Sequence, residues 1–125
     1  MAMYGQGATR GRTAKLGIEA TTNQACLVMT EFVGGLLPDF VWYYLMARYN
    51  DLRALASGNN QPNLSAELVR AFSVPIPPEQ LQRALIQRAK AGRAEVAKLK
   101  ADAKVRAEAA KADVEAMVLG IKPVH

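Results

Sequence analysis

Cysteine and histidine are almost absent from the chain, which has one of each, Cys26 and the terminal His125. A single cysteine excludes an internal disulfide and a cysteine-based zinc site, and it is typical of a reducing cytoplasm. Without a nearby histidine, Cys26 lacks the base that a nucleophilic thiol needs, so we expect it to be a buried structural thiol. Paired carboxylates and metal-ligand spacings are also missing, so we expect no catalytic residue, no metal and no cofactor.

Long hydrophobic runs are missing as well. The most apolar stretch, from Phe32 to Ala47, is interrupted by Pro38-Asp39 and is too short to span a bilayer. No charged segment followed by an apolar one begins the chain, so the sequence has no signal-peptide pattern. We therefore expect a cytoplasmic protein with no membrane partner.

Charge is unevenly distributed. The formal net charge is +5, and residues 80–122 have ten basic and five acidic side chains, whereas residues 1–60 have five and four. A basic excess of this kind indicates a polyanionic partner, but the solvated exterior of a coiled coil has the same composition. From charge alone the two interpretations are equally good.

The last third of the chain predicts one long helix. Between Pro77-Pro78 and Gly120 it has a single glycine and is dominated by Ala, Lys, Arg, Glu and Leu, the strongest helix formers. About forty residues at ~1.5 Å each make a rod on the order of 60 Å, which needs a partner helix. Apolar or small residues recur every three or four positions, with one stutter, as in a coiled coil. The predicted helix-pairing residues are Leu85, Ala89, Val96, Leu99, Ala103, Ala107, Ala110 and Val114.

Near the start, Gly5, Gly7 and Gly11 form a glycine loop (residues 5–12) that bears arginines. Its spacing fits neither the dinucleotide fingerprint nor the nucleotide P-loop. A tight hairpin with positive-φ glycines is one interpretation, and a basic loop that contacts phosphate or base edges is the other. In the second interpretation, the residues that contact DNA are Arg10, Arg12 and Lys15.

The middle of the chain predicts short strands at Ala14–Ile18 and Ala25–Met29, and then a helix from Asp39 to Ala56 with Pro38 in its first turn. Ser65 is a candidate N-cap of a short helix that extends to Phe72. Between these two predicted helices lie side-chain amides that could form turns or pair with adenine. They are Asn59, Asn60, Gln61 and Asn63. The segment Val74–Pro78 must be extended because each proline restricts the residue before it.

These segments, in this order, resemble the specificity (S) subunit of type I restriction–modification enzymes. The most specific pieces are TNQAC at Thr22 to Cys26, NQPNLS at Asn60 to Ser65, and VPIPPEQ at Val74 to Gln80. The resemblance implies a non-catalytic subunit whose target-recognition domains each read half of a split site in double-stranded DNA. It further implies long helices that pair antiparallel as a spacer and dock methyltransferase subunits, with a restriction subunit joining the complex.

The resemblance covers the second half of one recognition domain and one spacer helix. The expected fold class is therefore α+β: an incomplete mixed α/β domain with a few short strands and two helices, followed by one long coiled-coil-type helix. The expected division is residues 1–73 as a partial DNA-binding domain, 74–80 as a proline hinge, 81–120 as the spacer helix and 121–125 as a tail. We expect a truncated product or half-subunit that forms a homodimer or pairs with a second S-type helix; the alternative is a structural oligomerisation module that reads no DNA.

Overall fold

A computed structural model describes residues 1–5, 7–56 and 63–124. Within these residues the chain forms four helices: α1 (Pro38–Ala47), α2 (Tyr49–Ala54), α3 (Ala66–Arg70) and α4 (Glu79–Val118). The contacts divide the chain into two compact units, Met1–Ile86 and Gln87–His125. The first unit contains α1 to α3 and the start of α4, and the second consists of the remainder of α4 and the C-terminal residues.

The expected α+β fold class is wrong, because the described residues are helical and contain no sheet. The only strand-like pairing among them is an isolated antiparallel bridge between Ala2 and Cys26. Burial does alternate along residues 25–30, as it does in a strand. However, a strand also requires a neighbour that continues the ladder, and here the pairing stops after the bonds from Met3 N to Ala25 O (2.9 Å) and from Leu27 N to Met1 O (2.8 Å). The amino group of Met1 also donates a hydrogen bond to Leu27 O at 2.8 Å, and burial lowers the pKa of this amino group.

Helix α1 begins at Pro38, whose fixed φ suits the first helical position. Asp39 lies in the first turn, where the positive end of the helix dipole favours an acidic side chain, and it forms an ion pair with Lys15. The helix buries an apolar face that forms the main core with Leu52 of α2 and Ile86 of α4; its residues are Phe40, Val41 and Leu45. At Arg48 the backbone leaves the helical region (φ −97°, ψ 21°), so the single helix predicted over 39–56 is two helices.

Helix α3 is capped as predicted. Ser65 is extended, and its hydroxyl accepts a hydrogen bond from Leu68 N at 3.2 Å. The helix ends at Arg70, two residues earlier than expected. It contributes Val69 to a second apolar cluster, which also contains Ala56 and Leu64.

The first turns of α4 are fixed to the first unit by a buried amide. Gln82 is 1% exposed, and its Oε1 accepts from Leu37 N at 2.8 Å. Its Nε2 donates to Gly35 O at 3.0 Å and to Pro77 O at 2.8 Å. One side chain therefore connects the loop before α1, the proline segment and the start of α4.

In the second unit, α4 continues to Val118 and terminates at a left-handed glycine. Gly120 has a φ of +70°, and the amides of Ile121 and Lys122 both donate to Ala116 O. Lys122 also forms an ion pair with Asp113. No helix in the described part of the chain is long and apolar enough to cross a membrane.

Candidate nucleic-acid interface

The glycine loop forms a turn over residues 7–11. Its C-terminal end is bonded to Ala2, whose carbonyl accepts from Gly11 N and whose amide donates to Arg12 O, both at 2.9 Å. Arg12 N also donates to Thr9 O at 3.0 Å, and Arg12 Nε to Ala8 O at 2.8 Å. The predicted hairpin-like turn is therefore present, and its shape is set by main-chain bonds.

Two side chains of α2 hold this loop. Tyr49 donates its hydroxyl to Ala8 O at 2.7 Å, and Arg53 Nη1 donates to Gly7 O at 2.8 Å and to Arg10 O at 3.1 Å. Arg53 Nη1 also lies 3.2 Å from the Tyr49 hydroxyl, and its guanidinium carbon lies 5.4 Å from the centroid of the Tyr49 ring. All the loop atoms that these two residues bind are carbonyl oxygens of the main chain.

Glycine is required at position 11. Its φ is +83°, and a Cβ there would lie 3.3 Å from Arg53 Cγ and 3.7 Å from the Tyr49 ring. Gly7 differs, since a Cβ at that position would meet nothing within 4 Å. The close approach of α2 to the loop therefore depends on Gly11.

The three basic residues predicted to contact DNA occupy different environments. Arg12 is exposed, and its guanidinium carbon lies 5.8 Å from the Tyr49 ring centroid. Arg10 is only 8% exposed. The Nζ of Lys15 lies 2.5 Å from Asp39 Oδ1, with the Lys15 side chain still half-exposed. Of the three, Arg12 presents its charge most directly to solvent.

Among the predicted amides, Asn63 is half-buried, and Asn59, Asn60 and Gln61 lie outside the described residues. The residue after Asn63 connects it with the glycine loop, because Leu64 N donates to Met3 O at 3.0 Å. Met3 is two residues before Gly5, where the loop begins. The structure therefore brings Asn63 and the glycine loop to the same part of the first unit, although 50 residues separate them in sequence.

An apolar groove of about 650 Å³ adjoins the loop. It lies between residues 12–16, residues 26–29 and α1, and Trp42 donates its indole N–H to Thr13 O at 3.4 Å along one wall. Cys26, which we expected to be buried, is exposed and lines this groove. The alternation along residues 25–30 explains the difference, because Ala25 and Leu27 face inward and Cys26 between them faces outward.

Sequence reasoning missed Tyr49 and Arg53. A signal was available, because residues four apart lie on the same face of a helix. The partners, however, are carbonyl oxygens more than 40 positions away, and main-chain acceptors leave no mark in a sequence.

The predicted helix-pairing residues lie along α4 and are largely exposed to solvent. The largest of them, Leu85, Val96, Leu99 and Val114, have exposures between 44% and 60%. No group of three or more potential metal ligands occurs among the described residues. What the described surface offers is a basic loop with Asn63 in the same part of the first unit, and an apolar helix face.

The type I restriction modification DNA specificity domain family matches residues 3–89 of the chain. This match spans well over half of the chain, and the chain belongs to that family. The predicted resemblance is thus confirmed at family level: the domain is a DNA-recognition module of restriction–modification systems, and the long helix that follows is compatible with a coiled coil. No solved structure matches the chain significantly.

Proposed function

We propose that the chain reads part of a bipartite DNA target within a type I restriction–modification complex, with the glycine loop and the amide-rich segment as its reading surface. The observation that supports this most is the hydrogen bond from Leu64 N to Met3 O, because it joins the residue after Asn63 to a residue just before the glycine loop. In this proposal residues 1–73 are the DNA-binding part, 74–80 the hinge, 81–120 the spacer helix and 121–125 a tail.

The chemistry of the side chains suggests their roles. Arg12 is exposed, and a guanidinium suits bidentate bonds to guanine O6 and N7 or to a phosphate. Asn63, with Asn59, Asn60 and Gln61, offers the amide that pairs with adenine N6 and N7. Lys15 can add a phosphate contact beside its bond to Asp39. A contact from Arg10 would require its side chain to leave a buried position.

The long helix supports the assembly part of the proposal. We assign its exposed apolar face to pairing with a second helix of the same kind, and another part of its surface to docking methyltransferase subunits, with a restriction subunit joining the complex. The pairing face is nearly self-complementary when two copies run antiparallel. Positions that sum to 199 then face each other across the pair: Leu85 and Val114, Ala89 and Ala110, Gly92 and Ala107, Val96 and Ala103.

Charges beside the face agree with this register. In an antiparallel pair the residues that flank the core on one side meet their equivalents on the partner. Here Arg88 would face Asp113, and Glu95 would face Arg106. A homodimer centred near Leu99 would thus have four attractive flanking pairs, and it would place two copies of the reading surface in one assembly.

Selection from a randomised duplex pool tests the DNA-reading proposal, with full-length protein and methyltransferase subunit present. We expect enrichment of one sequence pattern, and tighter binding of that duplex than of a scrambled one by anisotropy at ~100 mM salt. Arg12→Ala should weaken this discrimination ten- to a hundredfold, the ~1–3 kcal/mol of one bidentate base contact. The control Arg48→Ala removes an exposed arginine that pairs with Asp51. Absence of any enriched pattern would refute sequence reading.

The exposed helix face also favours a second candidate, a structural oligomerisation module whose globular part reads nothing. The two candidates differ in one result. Equal affinity for selected and scrambled duplexes, together with a stable dimer, supports the structural module.

A further inference from the structure

One flank of α4 in the second unit bears only positive charge. At 100° per residue, four basic side chains fall within an arc of about 40°. They form the basic stripe: Arg93, Lys100, Lys104 and Lys111. All four are exposed, and at ~1.5 Å per residue the stripe extends about 27 Å along the helix.

The opposite flank of the same helix has a different composition. It mixes both signs within a similar arc: Arg88, Glu95, Asp102, Arg106 and Asp113. An ordinary solvated coiled-coil exterior alternates in this way. The basic stripe does not, and its Lys100 and Lys104 form a like-charge i,i+4 pair that destabilises an isolated helix.

The ion pair at the end of the stripe is weak. Lys111 lies 3.9 Å from Glu115, at the outer limit of an ion pair, and both side chains are mostly exposed. Such an exposed pair is worth little and yields readily to a polyanion.

We propose that the basic stripe binds the phosphate backbone of duplex DNA without reading its sequence. This inference rests on the proposed function, in which the first unit of the chain reads DNA, and adds a second DNA contact to it. Duplex DNA has one negative charge per ~1.7 Å of its axis, so a 27 Å stripe faces many phosphates. The stripe has no aromatic or amide side chain that could read bases. In the antiparallel self-pair, Arg93 lies opposite Lys104 of the second copy, so the two stripes form one basic face. A bound anion would reduce the repulsion between the positive charges of that face.

Matched double substitutions on α4 test this. Lys100→Gln with Lys104→Gln removes two stripe charges, and Lys90→Gln with Lys98→Gln removes two charges from other faces of the helix. Full-length proteins are titrated into a 40-base-pair mixed-sequence duplex between about 25 and 150 mM salt, and the slope of log K against log salt is measured. Each lost phosphate contact should reduce the slope by about 0.9, so the stripe variant should lose up to about 1.8 for each chain that binds.

We expect the control pair to change the slope by less than half as much, and Lys100→Arg with Lys104→Arg to bind like the wild type. Circular dichroism establishes that each variant retains its helix. Equal loss in the two Gln variants would overturn the proposal, since only total charge would matter. It is overturned too if the stripe variant keeps its DNA affinity and instead loses the methyltransferase subunit, because the partner is then an acidic protein surface.

The outcome also separates this inference from the proposed function. A wild-type protein with a stripe-dependent slope but no preferred sequence supports the stripe and refutes sequence reading. A wild-type protein with a preferred sequence, whose slope does not depend on the stripe, supports sequence reading and refutes the stripe. No binding of any duplex at 25 mM salt refutes both.

Discussion

Gln82 accepts a hydrogen bond from the backbone amide of Leu37 at 2.8 Å, across 45 residues of sequence. Leu37 is the N-cap position of α1 and has no side-chain cap of its own. The start of α4 therefore supplies, through one buried amide, a fixed partner at the start of α1. The same side chain binds two further carbonyl oxygens, so it ties the first turn of α4 to the proline segment and to the loop before α1.

Replacement of Gln82 by alanine should destabilise the first unit by about 2–3 kcal/mol, because the amide of Leu37 and the carbonyls of Gly35 and Pro77 would all lose their buried partner. We expect a fall of roughly 10 °C in Tm by circular dichroism or calorimetry. Gln87→Ala changes an exposed glutamine of the same helix and should leave Tm within about 2 °C. Equal Tm values for the two variants would contradict the role of Gln82.

Gly11→Ala should destabilise the protein by about 1–2 kcal/mol, because alanine at a φ of +83° is strained and its Cβ presses on Arg53 Cγ. Gly7→Ala is the control on the same loop, where the added methyl group has open space. Urea unfolding midpoints measure both. A Gly7 variant as unstable as the Gly11 variant would show that general loop stiffening, rather than φ and contact at position 11, decides the outcome.

Arg53→Ala should release the glycine loop from α2, since its Nη1 binds the carbonyls of Gly7 and Arg10. Hydrogen exchange at the amides of Gly11 and Arg12 should accelerate about tenfold or more, corresponding to ~1.4 kcal/mol of lost local stability. Arg48→Ala removes a surface ion pair next to α2 and should leave those amides unchanged. Unchanged protection in the Arg53 variant would mean that the bonds to Ala2 hold the loop without help.

Val96→Asp with Leu99→Asp should abolish dimers if the helix face pairs as proposed, because four carboxylates would be buried at its centre. Analytical ultracentrifugation at tens of micromolar measures the association. Val105→Asp lies on the far side of the helix and is the control. In a Cys26→Ser background, Leu85→Cys should cross-link to Val114→Cys of a second copy, and not to Leu85→Cys itself. A monomeric wild type, or cross-links of the second kind, would contradict the antiparallel self-pair.

Cys26 should react with a thiol reagent such as Ellman's reagent in the native protein, at a rate close to that of the unfolded chain. The side chain is exposed on the groove and forms no disulfide. Mass spectrometry of the native and denatured protein under limiting reagent measures the two rates. Protection in the native state would indicate that the groove is covered in solution.

Local signals predicted the helices well. Pro38 and Ser65 mark helix starts because the fixed φ of proline and the serine hydroxyl act within one turn of themselves. The composition after Pro78 predicted α4, because a forty-residue run of strong helix formers has no competing local structure. The left-handed Gly120 ends that helix for the same kind of local reason.

Long-range signals were the ones that failed. Residues 25–30 have the alternation of a strand, and what decides against a strand is the absence of a continuing neighbour among the described residues, which no local pattern reports. Gln82 looks like a solvent residue in the sequence EQLQRAL, but two of its backbone partners, Leu37 N and Gly35 O, are 45 and 47 residues away. Tyr49 and Arg53 were overlooked because their acceptors are also main-chain atoms, whereas Arg12 and Asn63 could be predicted as DNA contacts because their side-chain chemistry is itself the signal.

The attachment of the glycine loop to α2 has a consequence for how recognition can change. Tyr49 and Arg53 donate hydrogen bonds to the carbonyl oxygens of Gly7, Ala8 and Arg10, whereas the Arg12 side chain approaches Tyr49 through its guanidinium, 5.8 Å from the ring centroid. Any amino acid supplies the same carbonyl, so residues 8 and 9 can be exchanged while these hydrogen bonds stay the same. If the loop reads bases as proposed, substitutions at these two positions can change the base preference without rebuilding the fold beneath the loop.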